Sequence, residues 1–258
     1  MKLYLDSADI TEVQTMNKYG IIDGVTTNPS LLKKALPLSG LTLVKHLQKI
    51  CKILGSKPVS IELTARTHKE MLVQARNIIK KVKQSNIVIK VPVCSVVNGK
   101  ETFVMDSLET IRALSQSGIS VNTTLIFTPE QALLAAKAGA DYVSPFTGRM
   151  DDYLRDTHHA KYAKTDYYPF QGKKNVDDDG IVSGVDLVDQ CVQMLEEYDT
   201  QVLAASVRNT QQLRECAMVG ANICTVPAPV LQSMVVHPKT IEGMKKFDKD
   251  KVAEYDTL

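Results

Sequence analysis

The chain lacks the usual markers of several function classes. No run approaches the ~18 apolar residues of a membrane span, and the opening MKLYLDSADI does not have the order of a secretory leader. Lysines and arginines are scattered, with no basic block beside an aromatic stripe, and the net charge is only +2. Nothing in that balance argues for nucleic acid or a membrane surface as a partner. Five cysteines (Cys51, Cys94, Cys191, Cys216, Cys224) are an odd number without CxxC spacing. They read as small core hydrophobes in a reducing cytoplasm. His158 and His159 have no spaced acidic or sulfur partners, so they read as solvated residues, not metal ligands. No GxGxxG follows a strand, which weakens a dinucleotide-binding reading. No Pro/Gly/Ser-rich linker divides the 258 residues, so one domain over 1–258 is expected.

What is present is a large apolar fraction, 44%, with 23% charged residues, enough for a sizeable core. Strand-like stretches KLYLD (2–6), GVTTN (24–28), VSIELT (59–64), NIVIKVPV (86–93), VNTTLIF (121–127), YVSPFTG (142–148), VLAASVR (202–208) and ICTVPA (223–228) alternate with helical patterns. Helices are expected over 9–18 (Asp9 as cap, with Glu12 completing a capping box), 29 to about 54, 67–84, about 104–116 and 128–138. Others follow at 185–198 and 210–219, from 229, and in the tail over 240–255. Eight strand–helix units in a chain of this length fit a closed parallel barrel better than an open sheet. The expected fold is therefore a single (β/α)8 TIM barrel with an extra C-terminal helix. The segment of about 149–183 is too long for an ordinary connection and reads as an irregular functional or lid loop.

One lysine sits inside an apolar strand, at Lys90 of NIVIKVPV. Desolvating an ammonium costs several kcal/mol unless something answers it. Residues two apart share a strand face. One face of each strand's C-terminal end then collects Asp6; Thr26 and Asn28; Ser60, Glu62 and Thr64; Lys90; Asn122 and Thr124; Ser144 and Phe146; and Ser206 and Arg208. Singly, each has a plain structural reading. Asn28 could cap the next helix, Asp6 could serve a turn, and Glu62 with Lys90 could be a structural pair. Taken together they describe a polar cavity at the end of the barrel where active sites are built. A buried lysine attacks carbonyls to form a Schiff base, and Asp6 and Glu62 are the acids on that face able to relay protons. Ser206 and Arg208, just before a helix start, form a candidate phosphate site, with Arg149 as a second cation.

The stretches YLDSAD, GVTTNPSLL, IELTA, IVIKVPV, NTTLIFTPEQALLAAKAGADYVSPFTGRMDD and AASVRN together resemble the transaldolase family over nearly the whole chain. The resemblance implies a metal-free, cofactor-free (β/α)8 enzyme that moves a three-carbon dihydroxyacetone unit between sugar phosphates. It implies Lys90 as the Schiff-base lysine and Asp6 as acid/base for carbon–carbon cleavage. Glu62, through a water held with Thr124, would be the relay for imine formation. Asn28 and Asn122 would bind hydroxyls of the three-carbon unit, Thr26 and Ser144 would support that pocket, and Phe146 would wall it. Ser206, Arg208 and Arg149 would hold phosphate. The related fructose-6-phosphate aldolases carry glutamine and tyrosine where this chain has Glu62 and Phe146, and a carboxylate exchanges protons where an amide only orients water. Release of free dihydroxyacetone by such an aldolase is the alternative activity; a catalytically silent sugar-phosphate-binding barrel is the other. CSVVNGKETF (94–103) and the 149–183 segment depart from the family pattern. The partners expected are small sugar phosphates and further copies of the same chain, in the cytoplasm.

Overall fold

The computed structural model describes residues 1–95, 105–157, 163–166 and 177–257. Eight parallel strands close into a barrel in sequence order: β1 (Lys2–Asp6), β2 (Gly24–Thr26), β3 (Val59–Glu62), β4 (Ile87–Pro92), β5 (Val121–Ile126), β6 (Tyr142–Pro145), β7 (Gln201–Ala204) and β8 (Ile223–Val226). The helices are α1 (Ile10–Lys18), α2 (Pro29–Ser39), α3 (Leu43–Leu54), α4 (His68–Val82), α5 (Asp106–Gln116) and α6 (Pro129–Ala138). They continue with α7 (Thr147–Thr157), α8 (Gly184–Met194), α9 (Thr210–Met218), α10 (Ala228–Ser233) and the tail helix α11 (Pro238–Asp250). The expected barrel and its extra C-terminal helix are both present.

Helix starts follow the cap chemistry of the sequence. Thr67 and Thr128 each form a full capping box, with Glu70 and Gln131, and Pro129 occupies the first turn where its missing N–H costs nothing. Asp9 caps α1 through the N–H groups of Thr11 and Glu12, but the expected box does not close. Glu12 instead accepts from the Ser7 hydroxyl (2.6 Å), and that hydroxyl accepts from the Asp9 N–H (3.0 Å). The single helix expected over 29–54 is two helices, because Gly40 turns left-handed at φ 63° and ends α2.

The expected irregular segment over 149–183 begins with a helix. α7 carries apolar residues only at Met150 and Leu154 on its inner side, while Asp151 and Arg155 are buried beside them. A helix that buries charges does not show an apolar stripe, so its pattern looked like loop. His158, His159 and most of the insertion at 94–103 lie outside the described residues.

Two packed layers hold the barrel. The outward side chains of the strands meet the helices in one large core that includes Leu5, Ile61, Ile89, Val143, Val202 and Val226. A smaller cluster fills the barrel's interior around Tyr4, Phe146, Leu203, Ala205 and Ile223. The second cluster is the floor on which the polar residues above it rest.

Candidate active site

Above that floor, at the C-terminal ends of the strands, lies a cavity of about 250 Å³. A larger hollow of about 640 Å³ lies outside the barrel between α3 and α4. Leu43, Leu47, Val73 and Ile78 line it with no convergent acid or base at a strand end, so the smaller one is the candidate site.

Lys90 is 4% exposed and projects into the interior cavity. Register puts Glu62 beside it on β3, and the Lys90 Nζ lies 3.0 Å from Glu62 Oε2. The Phe146 ring is the next wall: its centroid is 6.0 Å from the Lys90 Nζ and 4.9 Å from the Arg149 Cζ. Both cations thus lie over the ring, whose face is negative. Arg149 comes from the first turn of α7, not from a strand end, yet it lines the same cavity.

Asp6 closes the opposite side. It accepts a hydrogen bond from the Thr26 hydroxyl (2.9 Å), and Thr26 is in turn 2.6 Å from the Thr225 hydroxyl. Each hydroxyl has one proton; Thr26 gives its own to Asp6, so Thr225 donates to Thr26. Burial holds the Asp6 carboxyl above the ordinary carboxylate range. The Lys90 charge and the Thr26 hydrogen bond pull it down, Glu62 pushes it up, and Arg149 adds a small downward pull.

The amides are oriented by their partners. Asn28 caps α2 by accepting from the Leu31 N–H (3.0 Å), which fixes its Oδ1 and leaves Nδ2 as a donor at the cavity wall. Asn122 is fully buried; its Oδ1 accepts from the Ser144 hydroxyl (2.7 Å), and its Nδ2 donates to Ser60 Oγ (3.3 Å). The Thr124 hydroxyl is buried with no partner among the described residues. Neither Asn122 nor Thr124 is among the residues that line the cavity; an unpartnered buried hydroxyl such as that of Thr124 is suited to a water.

The period-two reading fails in β7. Its inner residues are Leu203 and Ala205, whereas Val202 and Ala204 face the helices. On that phase Ser206 and Arg208 would point outward. Ser206 reaches the cavity because the strand has ended and its backbone is left-handed, at φ 59°. Arg208 does not line the cavity; its guanidinium is held by Asp152, at 2.5 and 2.6 Å.

Six lining residues were missed: Pro29, Ser30, Leu125, Leu203, Ala205 and Thr225. Thr225 sits two positions after Ile223, so the same face rule applied to the eighth strand would have found it. Leu125 could not be found that way. Between Thr123 and Ile126 the β5–β6 register slips by one residue, and Leu125 adopts φ 59° at the slip. This bulge sends Leu125 into the interior cluster and Ile126 out to the helices. The other expected site residues, Asp6, Thr26, Asn28, Glu62, Lys90, Ser144, Phe146, Arg149 and Ser206, share one cavity.

Comparison with known proteins reaches the same stretch of chain. The sequence profile of the transaldolase/fructose-6-phosphate aldolase family matches residues 3–257. A probable transaldolase of Bdellovibrio bacteriovorus is 38% identical over 252 residues, covering 97% of each chain. A probable transaldolase of Thermodesulfovibrio yellowstonii is 39% identical with the same coverage, and one of Clostridium perfringens is 37% identical, again over 97% of each.

Proposed function

The chain belongs to the transaldolase/fructose-6-phosphate aldolase family, and from that premise we propose that it is a transaldolase working through a Schiff base on Lys90. The observation that carries this is one buried amine, 3.0 Å from one carboxylate and in electrostatic contact with a second, in a cavity that also holds an arginine and several hydroxyls. The donor ketose would be sedoheptulose 7-phosphate or fructose 6-phosphate, and the acceptor glyceraldehyde 3-phosphate or erythrose 4-phosphate.

The steps follow from the groups. The Lys90 amine attacks the ketose carbonyl at C2, giving a carbinolamine. Glu62, the nearest acid, carries two protons in turn from nitrogen to oxygen, the first from the Lys90 ammonium to free the amine and the second from the adduct, with a water held by the Thr124 hydroxyl as carrier; the oxygen departs as water and the iminium, keeping one N–H, remains. Asp6 then removes the proton from the C4 hydroxyl. The C3–C4 bond breaks, its electrons flow into the iminium to give an enamine, and an aldehyde leaves. An acceptor aldehyde enters, the enamine attacks it, and Asp6 gives its proton to the new alkoxide. Hydrolysis through Glu62 frees Lys90. A carboxyl held high by burial suits a group that must both take and return a proton. Asn28 and Asn122, supported by Thr26 and Ser144, would bind hydroxyls of the three-carbon unit, while Arg149, Ser206 and Arg208 would hold phosphate.

Glu62 and Phe146 favour transfer over release of free dihydroxyacetone, since Phe146 brings no second acid or hydroxyl to the lysine. Cytoplasmic location is supported by five cysteines that are all unpaired thiols. No helix among the described residues is long and apolar enough to cross a membrane. Homo-oligomer assembly is supported by α11, which buries nothing within its own chain and exposes Ile241, Met244 and Phe247 one turn apart.

Borohydride reduction in the presence of fructose 6-phosphate should fix a three-carbon adduct on Lys90, read by peptide mapping. An adduct on another lysine, or none, overturns the mechanism. Turnover of fructose 6-phosphate without an acceptor, at a rate equal to transfer, would make the enzyme an aldolase instead.

A further inference from the structure

Two consecutive acids of α7 grip the two ends of Arg208. Asp152 accepts from Nη1 through Oδ1 (2.5 Å) and from Nη2 through Oδ2 (2.6 Å), with the two side chains only 17% and 18% exposed. Asp151, its neighbour, is buried. It accepts from the Gly184 N–H at the start of α8 (2.7 Å) and from Gln212 Nε2 on α9 (2.6 Å). Gln212 passes the hold on, because its Oε1 accepts from the Arg208 backbone N–H (2.8 Å). One helix therefore fixes both the guanidinium and the main chain of a residue 56 positions away.

Gly148, one turn before Asp152, makes room for this. A Cβ there would fall 2.8 Å from the Arg208 Nε and 2.4 Å from the Ser206 carbonyl oxygen. Any side chain would push Arg208 off its seat.

A guanidinium has five N–H donors in a rigid plane. Asp152 takes two of them and the Lys164 carbonyl a third, through Nη1 at 3.3 Å. The Nε–H and the second Nη2–H share the remaining edge, parallel to each other, and have no partner among the described residues. The Nε end of that edge lies near Gly148; Arg208 itself stands outside the cavity lining, but Arg149, next to Gly148 in sequence, and Ser206, two residues before Arg208, both line it. Two parallel donors match two oxygens of a phosphate monoester.

We propose that Asp152 is a positioning residue for phosphate recognition: it holds Arg208 by one edge so that the other edge is presented to the substrate's phosphate. This rests on the reading of Arg208 as a phosphate ligand. Asp152 touches no substrate itself. Its contribution is to remove the rotamer freedom that a long side chain would otherwise lose on binding.

The test separates phosphate recognition from Schiff-base chemistry. Free dihydroxyacetone forms the lysine adduct without a phosphate; fructose 6-phosphate requires one to be bound. In Asp152→Asn, the ratio of kcat/KM for fructose 6-phosphate to the rate of borohydride trapping with dihydroxyacetone should fall at least tenfold, the loss lying mainly in KM. Asp152→Glu should recover part of it. Arg208→Lys, which keeps the charge and Asp152 but lacks the fork, should show the same loss, and adding Asp152→Asn to it should change the ratio less than twofold. An unchanged ratio in either single variant overturns the proposal. So does a rise in Asp152→Asn, which would make Asp152 a competitor of phosphate. If Asp152→Asn does not unfold cooperatively, Asp152→Ser takes its place, with the same outcomes deciding. A wild-type enzyme that traps neither compound on Lys90 refutes the proposed function, not this role of Asp152.

Discussion

Replacing Lys90 with methionine keeps the length of the side chain and deletes its charge. The wild-type cavity holds two acids, Asp6 and Glu62, and two cations, Lys90 and Arg149, so it is close to neutral. The variant leaves Glu62 without its partner at 3.0 Å and removes the strongest downward pull on Asp6. Breaking a buried pair costs roughly 3–5 kcal/mol. Because this cavity opens to solvent, the low end applies, about 3 kcal/mol at neutral pH. For a chain of this size that is a fall of about 6–12 °C in Tm. The sign with pH follows from the direction of the shift. Asp6 is already raised and rises further without Lys90, so the folded state keeps a proton that the unfolded chain has lost. Such a group stabilises the fold at low pH, and that contribution is lost as pH climbs through the raised value. The deficit of Lys90→Met should therefore shrink on acidification. Urea midpoints for both proteins at about pH 7.5 and about pH 5 measure it, alongside trapping, which should vanish. Equal stability at neutral pH, or a gap that widens in acid, would refute the account of the cavity as a compensated set of charges.

Glu62→Gln keeps a hydrogen bond to Lys90 but cannot carry a proton; transfer should slow by about 10²–10⁴-fold, with free dihydroxyacetone a larger share of product. Unchanged rates in a coupled assay would remove Glu62 from the relay. Leu125 pays for its place in the cavity with backbone strain, on the order of 1–2 kcal/mol for a left-handed residue. Leu125→Val, β-branched at φ 59°, should therefore be less stable by denaturant titration than Leu125→Gly, and the reverse order would argue that no strain is stored there. Burial pushes Asp151 up to about 6, so wild-type stability should fall by roughly 3 kcal/mol as pH rises from about 3 to about 7. Asp151→Asn should flatten that slope, and a slope that persists in the variant would place its origin elsewhere.

The barrel was readable because parallel strands buried on both sides are apolar runs, and eight of them recur between helix patterns. Lys90 and Glu62 were readable as neighbours for the same reason: a charge in such a run has to be answered, and the period-two rule puts both on the inner face. The rule stops working where the backbone stops being a regular strand. In β5 a single extra residue reverses the faces, and nothing in LIF marks which residue turns. In β7 the strand ends two residues before Ser206, and a left-handed serine does what alternation was credited with. α7 was hidden because Asp151 and Arg155 are buried through partners outside the helix. Asp151 is held by Gly184 and Gln212, and pairings at that distance leave no local trace. The bond between Asp152 and Arg208 is invisible for the same reason.

The hydroxyl relay behind Asp6 crosses the seam of the ring. Thr225 belongs to β8, Asp6 to β1 and Thr26 to β2, and β8 meets β1 with Tyr4 opposite Thr225. The strand that leaves the ribosome last therefore supplies the outermost donor to an acid made among the first residues. A nascent chain halted before residue 223 would contain Lys90, both carboxylates and the arginines, yet lack the Thr225 contact behind Thr26 and Asp6. In the mechanism proposed, the acid/base role of Asp6 therefore depends on a ring closed through β8 and β1.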